Sequence, residues 1–210
     1  MISLNENNAE LIGVIAGDGH IHQKNNKYRI GFAGHLVTDK EYFGYLQSLI
    51  KKEWEKDGKI VFRENKLQMI INSKEVCLFL INDLKMPYGK GKSLKIEIPE
   101  LILKDWILLK RFIRGIVDTD GTVFVSKKPR IEKYPSIEIT SISKKMAEQI
   151  KSALEIHGFR VSKIWSFEQK MSDNLCYRFG LYGQKNLRKW LDEISFSNPF
   201  KLERAESYLK

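Results

Sequence analysis

The sequence predicts an α+β fold made of two tandem αββαββα repeats, and three observations predict it. The first is internal repetition. "LIGVIAGDG" (residues 11–19) and "IRGIVDTDG" (residues 113–121) align so that Gly13 pairs with Gly115, Asp18 with Asp120 and Gly19 with Gly121 at one constant offset. The second is that each copy opens the same succession of segments, with apolar residues at helical spacing giving way to alternation and back again. The third is composition: 42% hydrophobic and 11% aromatic residues over 210 positions are enough to bury a real core.

Taken in order, Leu11, Ile12, Val14 and Ile15 give the first helix its apolar face. After Gly19 the pattern alternates, and "HIHQK" and "YRIGFAG" read as strands around Asn25 and Asn26. Asp39 stands as N-cap for residues 40–54, where Tyr42, Phe43, Leu46, Leu49, Ile50 and Trp54 recur at helical spacing. A hairpin over 59–71 turns at Glu64-Asn65, and Ser73 caps a helix over 74–84. The order then recurs: a helix over 105–119, strands near 122–127 and 134–141, a helix behind Ser143, strands near 161–168 and 175–181, and a helix over 184–194. Asn198-Pro199 reads as a stop, and the tail that it begins packs as a last short helix. The repeats fall at 1–83 and 101–210, joined by a Gly-, Lys- and Pro-rich linker at 84–100. A pseudo-twofold monomer is expected.

Each motif helix ends in an acid, where the helix dipole disfavours negative charge. Small residues (Gly13, Ala16 and Gly17 on one copy, Gly115 on the other) let the two helices approach backbone to backbone. That packing brings Asp18 and Asp120 together. Two carboxylates so placed repel, and a divalent cation between them reverses the sign of the interaction. Mg²⁺ suits such an oxygen-rich, partly hydrated site, with Mn²⁺ able to substitute. Asp118 occupies the position where the first copy has Ala16, which makes it a structural or capping acid rather than a ligand.

These two nine-residue motifs, with the elements that follow them, resemble the LAGLIDADG homing endonucleases in their single-chain, two-motif form, and the resemblance covers nearly the whole chain. It implies antiparallel sheets forming a DNA-binding saddle, motif helices packed at the pseudo-twofold interface, and metal-assisted cleavage of both DNA strands across the minor groove. It implies backbone carbonyls of Gly17 and Thr119 as further metal ligands. It also implies basic residues near the acids, for which His35, Lys144 and Lys145 are the candidates by position.

The chain carries 36 Lys and Arg against 26 Asp and Glu, a net charge of +10, and a polyanionic partner fits that excess. Strand alternation puts Ile21, Ile30, Phe32, Ile60, Phe62, Leu67 and Met69 in the first core and Ile137 and Ile139 in the second. It leaves His20, His22, Lys24, Arg29, Lys59, Arg63, Lys66 and Gln68 on the open face of the first repeat. Lys127, Lys128, Arg130, Ser136, Glu138, Thr140, Lys163, Trp165 and Arg178 occupy that of the second. Such a face suits the major groove of double-stranded DNA, and two diverged repeats suit a long, non-palindromic target.

No run reaches the length of a membrane span, and the N-terminus lacks the pattern of a secretory signal, so an intracellular protein is expected: cytoplasmic or nucleoid, or organellar in a eukaryote. Cys77 and Cys176 have no metal-ligand spacing and read as buried thiols. The ends lack the residues of an intein, which points to a free-standing, intron-encoded enzyme. Two other classes use the same scaffold: a maturase that binds intron RNA, and a DNA-binding regulator that does not cleave. Retention of both acids favours cleavage.

Overall fold

The computed structural model describes residues 2–129, 131–168 and 174–209. Helix α1 (Glu6–Ala16) leads into a hairpin of β1 (Gly19–Lys24) and β2 (Lys27–His35), then α2 (Lys40–Trp54). The hairpin of β3 (Lys59–Arg63) and β4 (Lys66–Asn72) follows, then α3 (Lys74–Leu78), which continues as a π-helical turn over Phe79–Asp83. After the short helices α4 (Lys92–Lys95) and α5 (Glu100–Leu103), the pattern restarts at α6 (Trp106–Asp120). It runs through β5 (Gly121–Lys128), β6 (Ile131–Ser141), α7 (Lys144–Ile156), β7 (Trp165–Glu168), β8 (Leu175–Tyr182), α8 (Gln184–Glu193) and α9 (Pro199–Glu206). The two sheets are antiparallel with equivalent orders, β1-β2-β4-β3 and β5-β6-β8-β7.

The local signals act as expected. Asn25 and Asn26 both take positive φ, 50° and 58°, the conformation a two-residue hairpin turn demands. Ser73 and Ser143 accept from the N–H groups of Val76 and Met146. Asn198, read as a stop, is also a cap: it accepts from Phe200 N ahead of Pro199. Asp39 precedes α2 but does not cap it. Its carboxylate accepts from His35 N (2.7 Å) and Asn198 Nδ2 (3.0 Å), tying the two halves together.

Helices α1 and α6 cross at the centre, and the core spreads from that seam to the inner face of both sheets. Of the expected core residues, Ile21, Ile30, Phe32, Leu67, Met69, Ile137 and Ile139 are buried and Ile60 is partly buried. Phe62 corrects that expectation: it has inner-face register but is 64% exposed, because edge strand β3 carries it to the hairpin tip, one residue from the strand end. Strand β7 also starts later than the alternation indicated. Val161 makes a lone bridge to Leu181, and Ser162 exchanges hydrogen bonds with Gly180 through its N–H and its hydroxyl, so this stretch is tied to β8 without extending the ladder. Among the described residues no helix is long and apolar enough to cross a membrane.

Candidate functional site

Gly13 and Gly115 set the site by letting two backbones touch. With the helices this close, their C-termini emerge side by side, and Asp18 and Asp120 come within hydrogen-bond reach of each other. Gly17 presses on Thr119: a Cβ on Gly17 would run into the Thr119 hydroxyl and lie 3.1 Å from Asp120 Oδ2. That hydroxyl is turned back into its own helix, 3.0 Å from the carbonyl oxygens of both Gly115 and Ile116. The four residues named from the motif as metal ligands, Asp18, Asp120, Gly17 and Thr119, therefore form one cluster. A cavity of about 270 Å³, bordered by Gly17, Ser93, Asp120, Thr140 and Ser141, adjoins it.

Desolvation and the neighbouring Asp18 charge push the Asp120 carboxyl up to about 7. Desolvation also raises Asp18, against the pull of the Lys201 ammonium and of its hydrogen bond with Asp120. Two carboxyls this close and this far from water hold negative charge poorly, even with Lys201 and Lys92 nearby. The donor set fits a hard divalent cation: two carboxylates, nearby carbonyls and adjoining space for water. Among the described residues no group of three or more His, Cys, Asp or Glu side chains assembles to hold a metal ion, here or elsewhere, so this site offers a pair of carboxylates and no third such side chain.

Two lysines that the motif pattern does not single out complete the site. Lys92 Nζ donates to Ile15 O (3.0 Å), and Lys201 Nζ donates to Val117 O (2.8 Å), Thr119 O (3.2 Å) and Gly121 O (2.6 Å). Ile15 and Val117 are equivalent positions of the two motifs, so each lysine occupies the C-terminus of one motif helix, where positive charge is favoured. Burial lowers both ammonium groups, Lys92 to about 8, while Asp120 and Asp18 hold them up. Their signal is positional: each sits in a short helical stretch after the third helix of its repeat.

Of the basic residues expected beside the acids, His35 stays near them through Asp39, whose carboxylate accepts from His35 N and whose charge acts on Asp18, while Lys144 and Lys145 have other surroundings. Lys144 is exposed and pairs with Glu148 (3.7 Å). Lys145 lines a separate groove with Trp106 and His157, at the start of α6 and so at the far end of that helix from Asp120. His35 is exposed, and its Nδ1 accepts from the N–H groups of Val37 and Thr38. Helix α7 carries both lysines off because Ser143 caps it outside the seam. Asp118 is buried and is a tether, as its position implied: Oδ2 accepts from Ser197 N (2.8 Å), and burial pushes the group up to about 7.

The strand registers put His20, His22, Lys24, Arg29, Lys59, Arg63, Lys66 and Gln68 on one face of the first sheet, opposite the core. His20 lies across Gly31, and desolvation with nearby Lys92 lowers its pKa. On the second sheet the corresponding face carries Glu138, Thr140, Trp165 and Arg178, with Lys127 and Lys128 at the end of β5. Ser136 has outer register but is buried between neighbours Phe124 and Tyr182. Lys163 is exposed in the stretch before β7. Arg130 lies outside the described residues.

Residues 108–195 match the LAGLIDADG-like domain family. The whole chain superposes on the structure of I-DmoI in complex with DNA and Ca, with a TM-score of 0.66 and 17% identity, covering 96% of each chain. It superposes on the I-LtrWI LAGLIDADG homing endonuclease bound to target DNA with a TM-score of 0.62 and 17% identity, covering 98% of this chain and 89% of the other. The chain has the LAGLIDADG fold, and its second half carries a LAGLIDADG-like domain. The same LAGLIDADG scaffold recurs in the N-terminal LAGLIDADG domain of DUF199/WhiA, with a TM-score of 0.57 and 16% identity, covering 91% of this chain and 83% of that one. Among curated proteins, the chain is 31% identical over 209 residues to the replication factor C small subunit of Methanocaldococcus jannaschii, covering 98% of the chain and 10% of that protein. It is 30% identical over 205 residues to the Thermococcus kodakarensis replication factor C small subunit, covering 96% of the chain and 21% of that protein. It is 26% identical over 227 residues to the tRNA-splicing ligase RtcB of Pyrococcus furiosus, covering 96% of the chain and 23% of that protein. The chain thus spans between a tenth and a quarter of the length of these relatives.

Proposed function

We propose that this chain is a site-specific endonuclease that cuts both strands of a long, non-palindromic DNA target by metal-assisted hydrolysis. One observation carries the reading. Two acids from separate halves of the chain meet at paired helix C-termini, where they serve stability poorly and hold a cation well. The solved neighbours add support, since I-DmoI complexes contain DNA with Mn, Mg or Ca. Mg²⁺ or Mn²⁺ held by Asp18 and Asp120, with the carbonyl of Gly17, would supply the charge that activates water and stabilises the leaving 3′-oxygen, while the Thr119 carbonyl accepts from Lys201 Nζ.

The protein's own part is to build and neutralise that place. Gly13 and Gly115 bring the acids together, and Lys92 and Lys201 hold positive charge against them and against entering phosphates. The outer faces of the two sheets bind the flanking duplex, and their differing side chains suit unlike half-sites. A segment of about this length recurs inside proteins named for replication and for tRNA ligation, so the activity belongs to the segment and not to either host function. We read it as a unit carried by a mobile intervening sequence, an intron in the free-standing form, acting on intracellular DNA as a monomer.

The test is incubation with Mg²⁺ and a library of long randomised duplexes. Enrichment of linear products sharing one sequence, lost in Asp18→Asn and in Asp120→Asn, supports the reading. Sequence-specific binding without a cut identifies a regulator, and tight binding to intron RNA alone identifies a maturase.

A further inference from the structure

The outer faces of the two sheets differ in kind. On the first, Lys24, Arg29, Lys59, Arg63 and Lys66 stand exposed. On the second, Lys127, Lys128 and Lys163 are exposed near its margins, and Arg178, between strands β6 and β7, is fixed on several sides. Its Nε donates to Thr140 Oγ1 (2.9 Å), its Nη1 lies 3.5 Å from Glu138 Oε2, and its guanidinium stacks 4.6 Å from the Phe167 ring centre and 5.1 Å from that of Trp165. Glu138 is itself held, accepting from the Tyr182 hydroxyl at 3.0 Å. Tyr182 reaches it by lying across Gly180, where a Cβ would stand 2.6 Å from the tyrosine ring.

Stability alone does not account for this assembly. An ion pair on an open sheet face contributes about 0–1 kcal/mol, and glycine within a strand weakens it. What the assembly achieves is a guanidinium plane set before any partner arrives, with the side chain still 32% exposed. Thr140 and Glu138 engage two of its five donors, and the remaining edge is a planar fork. A planar fork on the outer face of a major-groove sheet matches one base edge above others: the O6 and N7 acceptors of guanine. A phosphate can also take a guanidinium fork, but a mobile point charge is enough for it, and the exposed lysines and arginines of the first sheet supply that.

We infer that Arg178 reads a single guanine in the half-site bound by the second sheet, with Glu138, Thr140 and Tyr182 as positioning residues. The inference rests on the DNA-endonuclease reading and deepens it. It is tested by selecting bound duplexes from a randomised library in Ca²⁺ with wild type, Arg178→Lys, Glu138→Gln and Tyr182→Phe, each checked for unchanged thermal unfolding. The expected result is a G·C requirement at one position in wild type that Arg178→Lys loses, with other positions unchanged and affinity for the selected site down about 10- to 100-fold. Tyr182→Phe, which removes one hydroxyl, relaxes the same position more weakly, and Glu138→Gln falls between. If Arg178→Lys selects the same sequence as wild type, or if Arg178→Ala weakens all duplexes alike while reducing the salt slope by about one, Arg178 is a phosphate anchor and the inference falls. If wild type enriches no sequence, the endonuclease reading falls first.

Discussion

Gly13 and Gly115 hold each other's place across the helix seam. A Cβ on Gly13 would overlap the Phe112 carbonyl, and one on Gly115 would overlap the Glu10 carbonyl and stand 2.8 Å from Val14 N. The obstruction in both cases is backbone, which cannot rotate away. Gly13→Ala and Gly115→Ala should therefore each cost about 1–3 kcal/mol in urea unfolding, at the upper end of that range, and should suppress cleavage further than the stability loss explains. An alanine variant as stable and active as wild type would mean that the seam is looser than drawn.

The acids give a second test, with opposite signs for activity and stability. Asp18→Asn and Asp120→Asn should abolish cleavage and leave duplex binding in Ca²⁺ within a few-fold of wild type. Each should also raise the melting temperature of the metal-free protein, because the variant no longer holds two like charges together. A lower melting temperature would assign these carboxylates a structural role.

Two acids of α6 fix a pH dependence. Asp120 and Asp118 both have folded pKa values raised to about 7 from an ordinary carboxylate value near 4. The folded state then binds more protons than the unfolded state across that window. Stability is greatest below about 4 with respect to these groups and is lost as pH rises through about 7. Metal-free protein should melt at a higher temperature at pH 5.5 than at pH 8. Mg²⁺ should raise the melting temperature mainly at the higher pH, and the dependence should shrink in Asp120→Asn. An unchanged slope in that variant would remove Asp120 as its source.

Much of this arrangement is legible in residue order. The duplicated motif marks the two acids, and Ser73 and Ser143 mark helix starts because capping is local chemistry, whereas Asn198-Pro199 reads as a stop and is the cap of α9. The glycines mark the seam because only a missing side chain permits that approach. Lys92 and Lys201 are not legible in this way. Each reaches its helix terminus through tertiary docking of a segment that looks like a linker or a tail, and nothing in the local pattern distinguishes such a lysine from a solvated one. Lys145 is misleading for the mirror-image reason. It follows the second strand of its repeat at a suitable distance, yet the direction of α7 carries it to the Trp106 groove. Phe62 shows that parity gives the face of a sheet but not how far the helices cover it.

The two lysines differ in a measurable way despite their equivalent places. Lys201 satisfies three carbonyls of the α6 terminus and Lys92 one at α1. A charged hydrogen bond contributes roughly 1.5–3 kcal/mol, and a buried carbonyl left unmade costs further. Lys201→Met should therefore destabilise the fold more than Lys92→Met, with both reducing cleavage. Equal losses in chemical denaturation would show that the extra bonds of Lys201 carry no net energy.

The first sheet should dominate the electrostatic part of DNA binding. Its outer cations, Lys24, Arg29, Lys59, Arg63 and Lys66, are exposed across the face, whereas the second sheet has exposed Lys127, Lys128 and Lys163 near its margins and its Arg178 lies against Glu138. A cation that pairs with a phosphate releases counterions, so removing one such side chain should lower the dependence of log K on log salt concentration by about one. Lys59→Gln, Arg63→Gln and Lys66→Gln should each weaken binding at low salt to matched and mismatched duplexes alike, and in the triple variant the slope should fall by up to about three. Fluorescence anisotropy over a salt series measures this directly. A change confined to one sequence would instead place that side chain against a base edge, and no change at all would put the duplex on another face of the protein.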